Sequence, residues 1–168
     1  MKIRKIAALF ALGGTMVVAG VALATPSIGL KPELLARGAV VDPQDRRDLA
    51  FSLLLGSAHE SDVAIVKATL EPGGTTGWHS HPEGSMVILK SGVLTVTKTN
   101  RGAEIFRRSG CFVDIYDATT SGKAFYHTAG PHTFVNTGTT LVEFYVAYFA
   151  PRSAPLLADE PVVPRACS

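Results

Sequence analysis

The chain has 168 residues, 46% of them hydrophobic and 18% charged, with a formal net charge of +2 at pH 7. So apolar a chain can bury a core, which excludes a disordered polypeptide. So small a charge gives no electrostatic footprint for nucleic acid or an anionic membrane.

The first segment reads as an export signal. Met1-Lys2-Ile3-Arg4-Lys5 is basic, residues 6–24 are apolar, and Ala22-Leu23-Ala24 offers small residues before Thr25-Pro26. Residues 1–24 are therefore expected to be a signal peptide cleaved after Ala24, and the protein to be exported (secreted, periplasmic or cell-surface). The apolar run is nearly long enough to span a bilayer, so an uncleaved anchor is the alternative. Cleavage leaves 144 residues, a single domain's worth, with 13 basic against 14 acidic side chains once Lys2, Arg4 and Lys5 are gone. No stable membrane insertion is expected after cleavage.

Short segments rich in β-branched residues follow, separated by turn signals. Residues 34–41 and 49–55 read as strands, although 49–55 (LAFSLLL) could pass for a helical turn. Residues 63–71, 86–90, 93–99, 105–107, 112–116 and 141–149 alternate with period two. Between them lie Pro72-Gly73-Gly74, Ser91-Gly92, Asn100-Arg101-Gly102, Ser109-Gly110 and Thr137-Gly138-Thr139, with Asn100-Arg101-Gly102 resembling a hairpin turn. No helix carries convincing caps, and no repeat is present. This pattern predicts an all-β barrel or double-sheet sandwich over residues 25–150, with a Pro-rich tail over 151–168. Cys111 and Cys167 allow one intramolecular pairing in an oxidising compartment. A disulfide tying the tail to the domain is expected, and two unpaired thiols are the alternative.

The stretch Gly73-Gly74-Thr75-Thr76-Gly77-Trp78-His79-Ser80-His81-Pro82-Glu83 runs a loop into a strand. Strand side chains alternate faces, so His79 and His81 should point the same way and offer half a set of transition-metal ligands. His132 follows about fifty residues on, in Gly130-Pro131-His132-Thr133-Phe134-Val135-Asn136. A half-buried polar pair inside a barrel is the alternative for His79 and His81, and an ordinary strand histidine for His132.

These residues resemble the two cupin motifs. Gly73, His79, His81 and Gly92 fall in the places of the first motif, and His132 and Asn136 in those of the second, with Gly122 and Gly130 as turn glycines. The usual proline of the second motif is Thr128, and the spacing before His132 is one residue short. The likeness covers roughly residues 60–150, and the Gly-Trp-His-Ser-His-Pro start is similar to that of exported single-domain cupins. It implies a double-stranded β-helix, the jelly-roll barrel. It further implies a divalent transition metal (Zn, Mn, Fe, Ni or Cu) on His79, His81 and His132, with Asn136 bracing the His132 loop.

One position departs from the family. Where metal-binding cupins carry a ligating glutamate this chain has Ser85, or Met86 at the longer spacing, and a serine hydroxyl is a poor ligand at neutral pH. Glu83 shares the parity of the two histidines and is a candidate fourth ligand, or else a solvated turn residue. His127 is expected at the rim, with acid–base or replacement-ligand roles as alternatives, and His59 on the surface. Trp78 should point away from the metal into packing. Tyr116, Tyr126, Phe134 and Tyr145 are candidates for pocket lining, or for the core. No nucleophile elbow or phosphate loop is present, and Asp114 and Asp117 make no catalytic carboxylate pair. Two functions remain: a cupin that binds metal or a small-molecule ligand without catalysis, which Ser85 favours, and a small metal-dependent enzyme of oxygenase or isomerase type. No catalytic residue is assigned, no nucleic-acid partner is expected, and a homodimer is left open.

Overall fold

The computed structural model describes residues 25–40, 61–99, 110–120, 124–160 and 162–168. The leader, the expected strands at 49–55 and 105–107, the Asn100-Arg101-Gly102 turn, Gly122 and His59 lie outside the described residues. Among the described residues ten strands form one continuous curled sheet: β1 (Ile28–Ala39), β2 (Ser61–Thr75), β3 (His79–Ser80), β4 (Ser85–Ser91), β5 (Val93–Thr99), β6 (Cys111–Asp117), β7 (Ala124–His127), β8 (His132–Asn136), β9 (Val142–Pro151) and β10 (Ala158–Asp159). All pairings are antiparallel.

The sheet folds on itself as two walls. One runs β1–β2–β9–β4–β7, and its long seam pairs β2 with β9 from Ser61↔Pro151 to Leu70↔Val142. The other runs β6–β5–β8–β3–β10. The two join where the end of β2 reaches β8 at Thr75↔Val135. The Thr75 and Thr133 hydroxyls share a 3.0 Å hydrogen bond there, and the Phe134 backbone N–H donates to Thr76 Oγ1 at 2.9 Å.

Period-two patterning decides which residues face inward. Ala64, Val66, Ala68 and Leu70 of β2 and Val142, Phe144, Val146 and Tyr148 of β9 are buried, while their odd-numbered neighbours are partly exposed. Leu94 and Val96 of β5 and Phe134 of β8 close the core from the other wall, and Phe125 of β7 joins it from the edge of the first. Tyr116 stacks on Phe125 with ring centroids 3.8 Å apart, so it packs against the core.

The C-terminal segment, expected as a tail, is part of the barrel. β10 pairs with β3 through Ala158↔Ser80 and Asp159↔His79. The Glu160 N–H donates to the Trp78 carbonyl at 3.0 Å. A single 3-10 turn, Arg165–Cys167, then brings Cys167 to Cys111 on β6, and the two form the expected disulfide with α-carbons 5.0 Å apart.

The bridge closes a loop 56 residues in separation. Loop-closure entropy makes this worth about 4 kcal/mol. Cys167→Ser should lower the unfolding free energy in urea by that order. Thiol titration of the denatured, unreduced protein should find no free cysteine, and two reactive thiols would rule the bridge out.

Candidate metal centre

Each site histidine is placed by a short strand beside a turn. Gly77, at φ 69°, takes a backbone conformation that L side chains rarely adopt, and any side chain there would collide with the Thr25 carbonyl oxygen. That close approach lets the Thr25 hydroxyl accept from the Trp78 N–H at 2.6 Å, which fixes the entry to β3. His79 and His81 are then both buried, with Ser80 between them partly exposed, as the parity argument expects. Trp78 is buried as well. His132 starts β8 directly opposite His79 in the register and is fully buried.

The three rings converge. The ligand nitrogens of His79, His81 and His132 all lie within 4.8 Å of one another. Ring centroids are 5.0 Å apart for His79–His81, 4.2 Å for His79–His132 and 4.8 Å for His81–His132. Glu83 stands outside this group and is partly buried at a bend, where burial raises its carboxyl above the ordinary value. Ser85, buried on β4, pairs across the sheet with His127 on one side and Tyr148 on the other.

Hydrogen bonding sets the tautomers. Nδ1 of His79 bonds the Gly77 carbonyl at 3.0 Å, His81 that of Leu156 at 2.9 Å, and His132 that of Gly130 at 2.8 Å. A carbonyl oxygen only accepts, so each Nδ1 must carry the proton. Burial pushes all three rings below the usual histidine range, His81 to about 3 and His132 well below. For His81 and His132 the neighbouring histidines push in the same direction. Each ring thus holds one proton, on Nδ1, and presents a bare lone pair at Nε2. His81 Nε2 and His132 Nε2 face each other at 3.2 Å.

His127 departs from its expected place at the rim. On β7 it shares the inward parity of Phe125, is 2% exposed, and packs with its ring centroid 3.6 Å from that of His132. Its Nδ1 donates to the Thr128 carbonyl at 2.7 Å. Its Nε2 is the one buried side-chain polar atom without a hydrogen-bond partner among the described residues. Burial lowers its pKa to about 4.

A cavity of about 810 Å³ opens onto His79, His81 and Ser85. Of the aromatic residues expected to line a pocket, Phe134 does. Tyr126 is half exposed, and Tyr145 points outward to bond Glu143 at 3.0 Å. The lining tyrosine is Tyr148, whose ring lies 4.9 Å from His81. It shares the inward parity of Val142, Phe144 and Val146 on β9, which Tyr145, the residue expected from the sequence, does not. Leu156, Leu157 and Asp159 of the C-terminal segment complete the wall. Asn136 bonds the Leu70 and Thr140 carbonyls at 2.8 Å and receives the Gly138 N–H at 3.0 Å. It therefore braces the turn after β8, not the loop before His132.

No family model matches the chain, and no curated protein matches it. Solved structures do. An oxalate oxidase in complex with glycolate aligns at TM-score 0.51 and 20% identity over 78% of this chain and 55% of that one. Peruvianin-I, a cysteine peptidase from Thevetia peruviana latex, aligns at 0.52 and 17% over 97% and 90%. A Lactobacillus farciminis oxalate decarboxylase formate complex aligns at 0.44 and 26% over 55% and 25%. The chain spans about half the length of the oxalate oxidases it matches. At these identities the likeness shows the fold alone. The protein has the cupin fold, a jelly-roll barrel with a three-histidine cluster in its interior.

Neutral buried histidines make stability depend on pH. The unfolded chain protonates them near pH 6.5, whereas the folded chain resists down to about 4 for His127 and about 3 for His81. Between these values the unfolded state binds more protons. Stability is therefore full above about pH 6.5 and falls as pH drops toward about 4, by up to about 1.4 kcal/mol per pH unit for each histidine. Urea denaturation at about pH 7.5 and about pH 5 measures the slope, and His127→Leu should make it shallower.

Proposed function

We propose that this is an exported cupin-fold protein that holds a divalent transition metal on Nε2 of His79, His81 and His132 and takes a small molecule in the adjoining cavity. The observation that carries the reading is the 3.2 Å approach of two bare nitrogen lone pairs, those of His81 and His132. With both protons committed to carbonyls, nothing on either ring can bridge that gap, and the contact is repulsive without a cation. Metal–imidazole bonds of about 2.0–2.1 Å, meeting at tetrahedral or octahedral angles, place two ligand nitrogens about 2.9–3.4 Å apart. The donor set fits a metal. An Nδ1–H anchored on a carbonyl is also the usual outer support of a ligating histidine.

A bound divalent ion would supply a Lewis-acidic centre open toward the cavity. The chain's own residues do the rest: the Gly77, Leu156 and Gly130 carbonyls orient the imidazoles, and Val87, Phe144 and Val146 give the cavity beside them apolar walls. The disulfide and the basic-then-apolar leader support export. Among the described residues no helix is long and apolar enough to cross a membrane. The peptidase activity named for one structural neighbour has no support here, because the only two cysteines are joined to each other.

Titrating metal-free protein with zinc in a calorimeter should show one ion per chain. His132→Ala should weaken binding by at least about 100-fold. Ser85→Glu should tighten it about tenfold by returning a carboxylate to the site. Glu83→Gln should change it by less than about threefold, and a loss as large as that of His132→Ala would make Glu83 a ligand. Failure of the parent protein to bind zinc, manganese, iron, nickel or copper would overturn the reading.

A further inference from the structure

The cavity beside the histidines has a chemistry of its own. Its walls are mainly Leu30, Val66, Phe134, Phe144, Val146 and Leu156, with Leu34 at the mouth, 57% exposed. Among the described residues no lysine or arginine lines it, and its one charged side chain is Asp159, beside His79 at the β10–β3 edge. Next to the same histidine cluster, Ser85 and Tyr148 are neighbours in the sheet, with the Tyr148 ring beside His81. The volume, about 810 Å³, suits a ligand well beyond the size of a two-carbon acid.

Charge narrows the class further. Three neutral imidazoles leave a divalent ion's double charge uncompensated, since Ser85 stands where a carboxylate would offset half of it. An uncompensated buried charge is costly, so the position beside Ser85 favours an anionic oxygen. A second anionic group on the same ligand would find no cationic side chain among the described lining residues, only apolar walls with the neutral hydroxyl residues Thr25, Ser27 and Thr76, and repulsion from Asp159. We propose that the cavity binds an amphipathic monoanion, whose single carboxylate or enolate oxygen occupies the metal position beside Ser85 while its apolar body fills the chamber between β1, β2 and β9. This rests on the metal reading above. Tyr148, which lines the cavity with its ring 4.9 Å from that of His81, would offer a phenol donor to the same head group.

Zinc titration is run first, so a protein that takes no zinc overturns the metal reading itself. Octanoate, hexanoate, octanol and succinate are then titrated into zinc-loaded and metal-free protein by calorimetry. Octanoate should bind the zinc form more than about tenfold tighter than hexanoate, since each buried methylene is worth about fourfold. Succinate should bind more weakly than either. Removing zinc should cost octanoate about tenfold and leave octanol unchanged. Ser85→Glu, which puts a competing carboxylate on the metal, should weaken octanoate about tenfold while zinc stays bound. Leu34→Asp, at an exposed position that tolerates the change, should weaken octanoate more than hexanoate. If succinate equals octanoate, or if chain length has no effect on the unaltered zinc-loaded protein, the ligand class is overturned while the metal reading stands.

Discussion

Two unprotonated ring nitrogens held 3.2 Å apart in a buried space are the constraint around which the barrel is built. Left to themselves the His81 and His132 rings would rotate away or pick up a proton. They do neither, because each Nδ1–H is committed to a carbonyl and burial disfavours the charged form. Those carbonyls belong to residues far apart in the chain: Gly130 in the turn before β8, and Leu156 beyond the end of β9. The site is therefore only as well ordered as the segment carrying Leu156. That segment is held by two backbone pairs between β10 and β3, by the Glu160–Trp78 hydrogen bond, and by the Cys111–Cys167 bridge at its end. Metal-site geometry and C-terminal attachment are one problem in this protein.

This coupling explains what could be read from the sequence and what could not. Period-two alternation marked the longer strands, because seven to nine residues of alternating character leave little doubt about parity. The expected strand over 63–71 lies within Ser61–Thr75, and 93–99 coincides with Val93–Thr99. The same rule put His79 and His81 on one face, although β3 is only two residues long, His79–Ser80, and His81 lies just beyond it. It failed where too few residues carry a pattern. β7 has four residues, so nothing in Ala124–His127 alone signals that His127 turns inward against His132. The role of the C-terminal segment was hidden for another reason. Its prolines read as a tail, and its contribution is a carbonyl, which no side-chain pattern encodes. Tyr148 was legible and was missed: the inward series Val142, Phe144, Val146 continues to it and skips Tyr145.

Ser85 gives the site its distinct character. Its neighbours across the sheet are His127 and Tyr148, so the place where a charged ligand would be expected is flanked by a neutral imidazole and a phenol that burial keeps protonated. A glutamate here would bring charge compensation from the protein; a serine leaves that compensation to whatever enters the cavity. The binding free energy of an anionic ligand is then tied to the presence of the ion, and that of the ion to the presence of the anion, since each lowers the cost of burying the other. Asp159, which pairs with His79 across the β10–β3 edge, puts one negative charge on the cavity wall. That charge would resist a second negative group on a ligand whose first sits beside the histidines. The selectivity proposed above, for a single negative charge on an apolar body, would then rest on residues already fixed in the barrel, with no further side chain needed to enforce it.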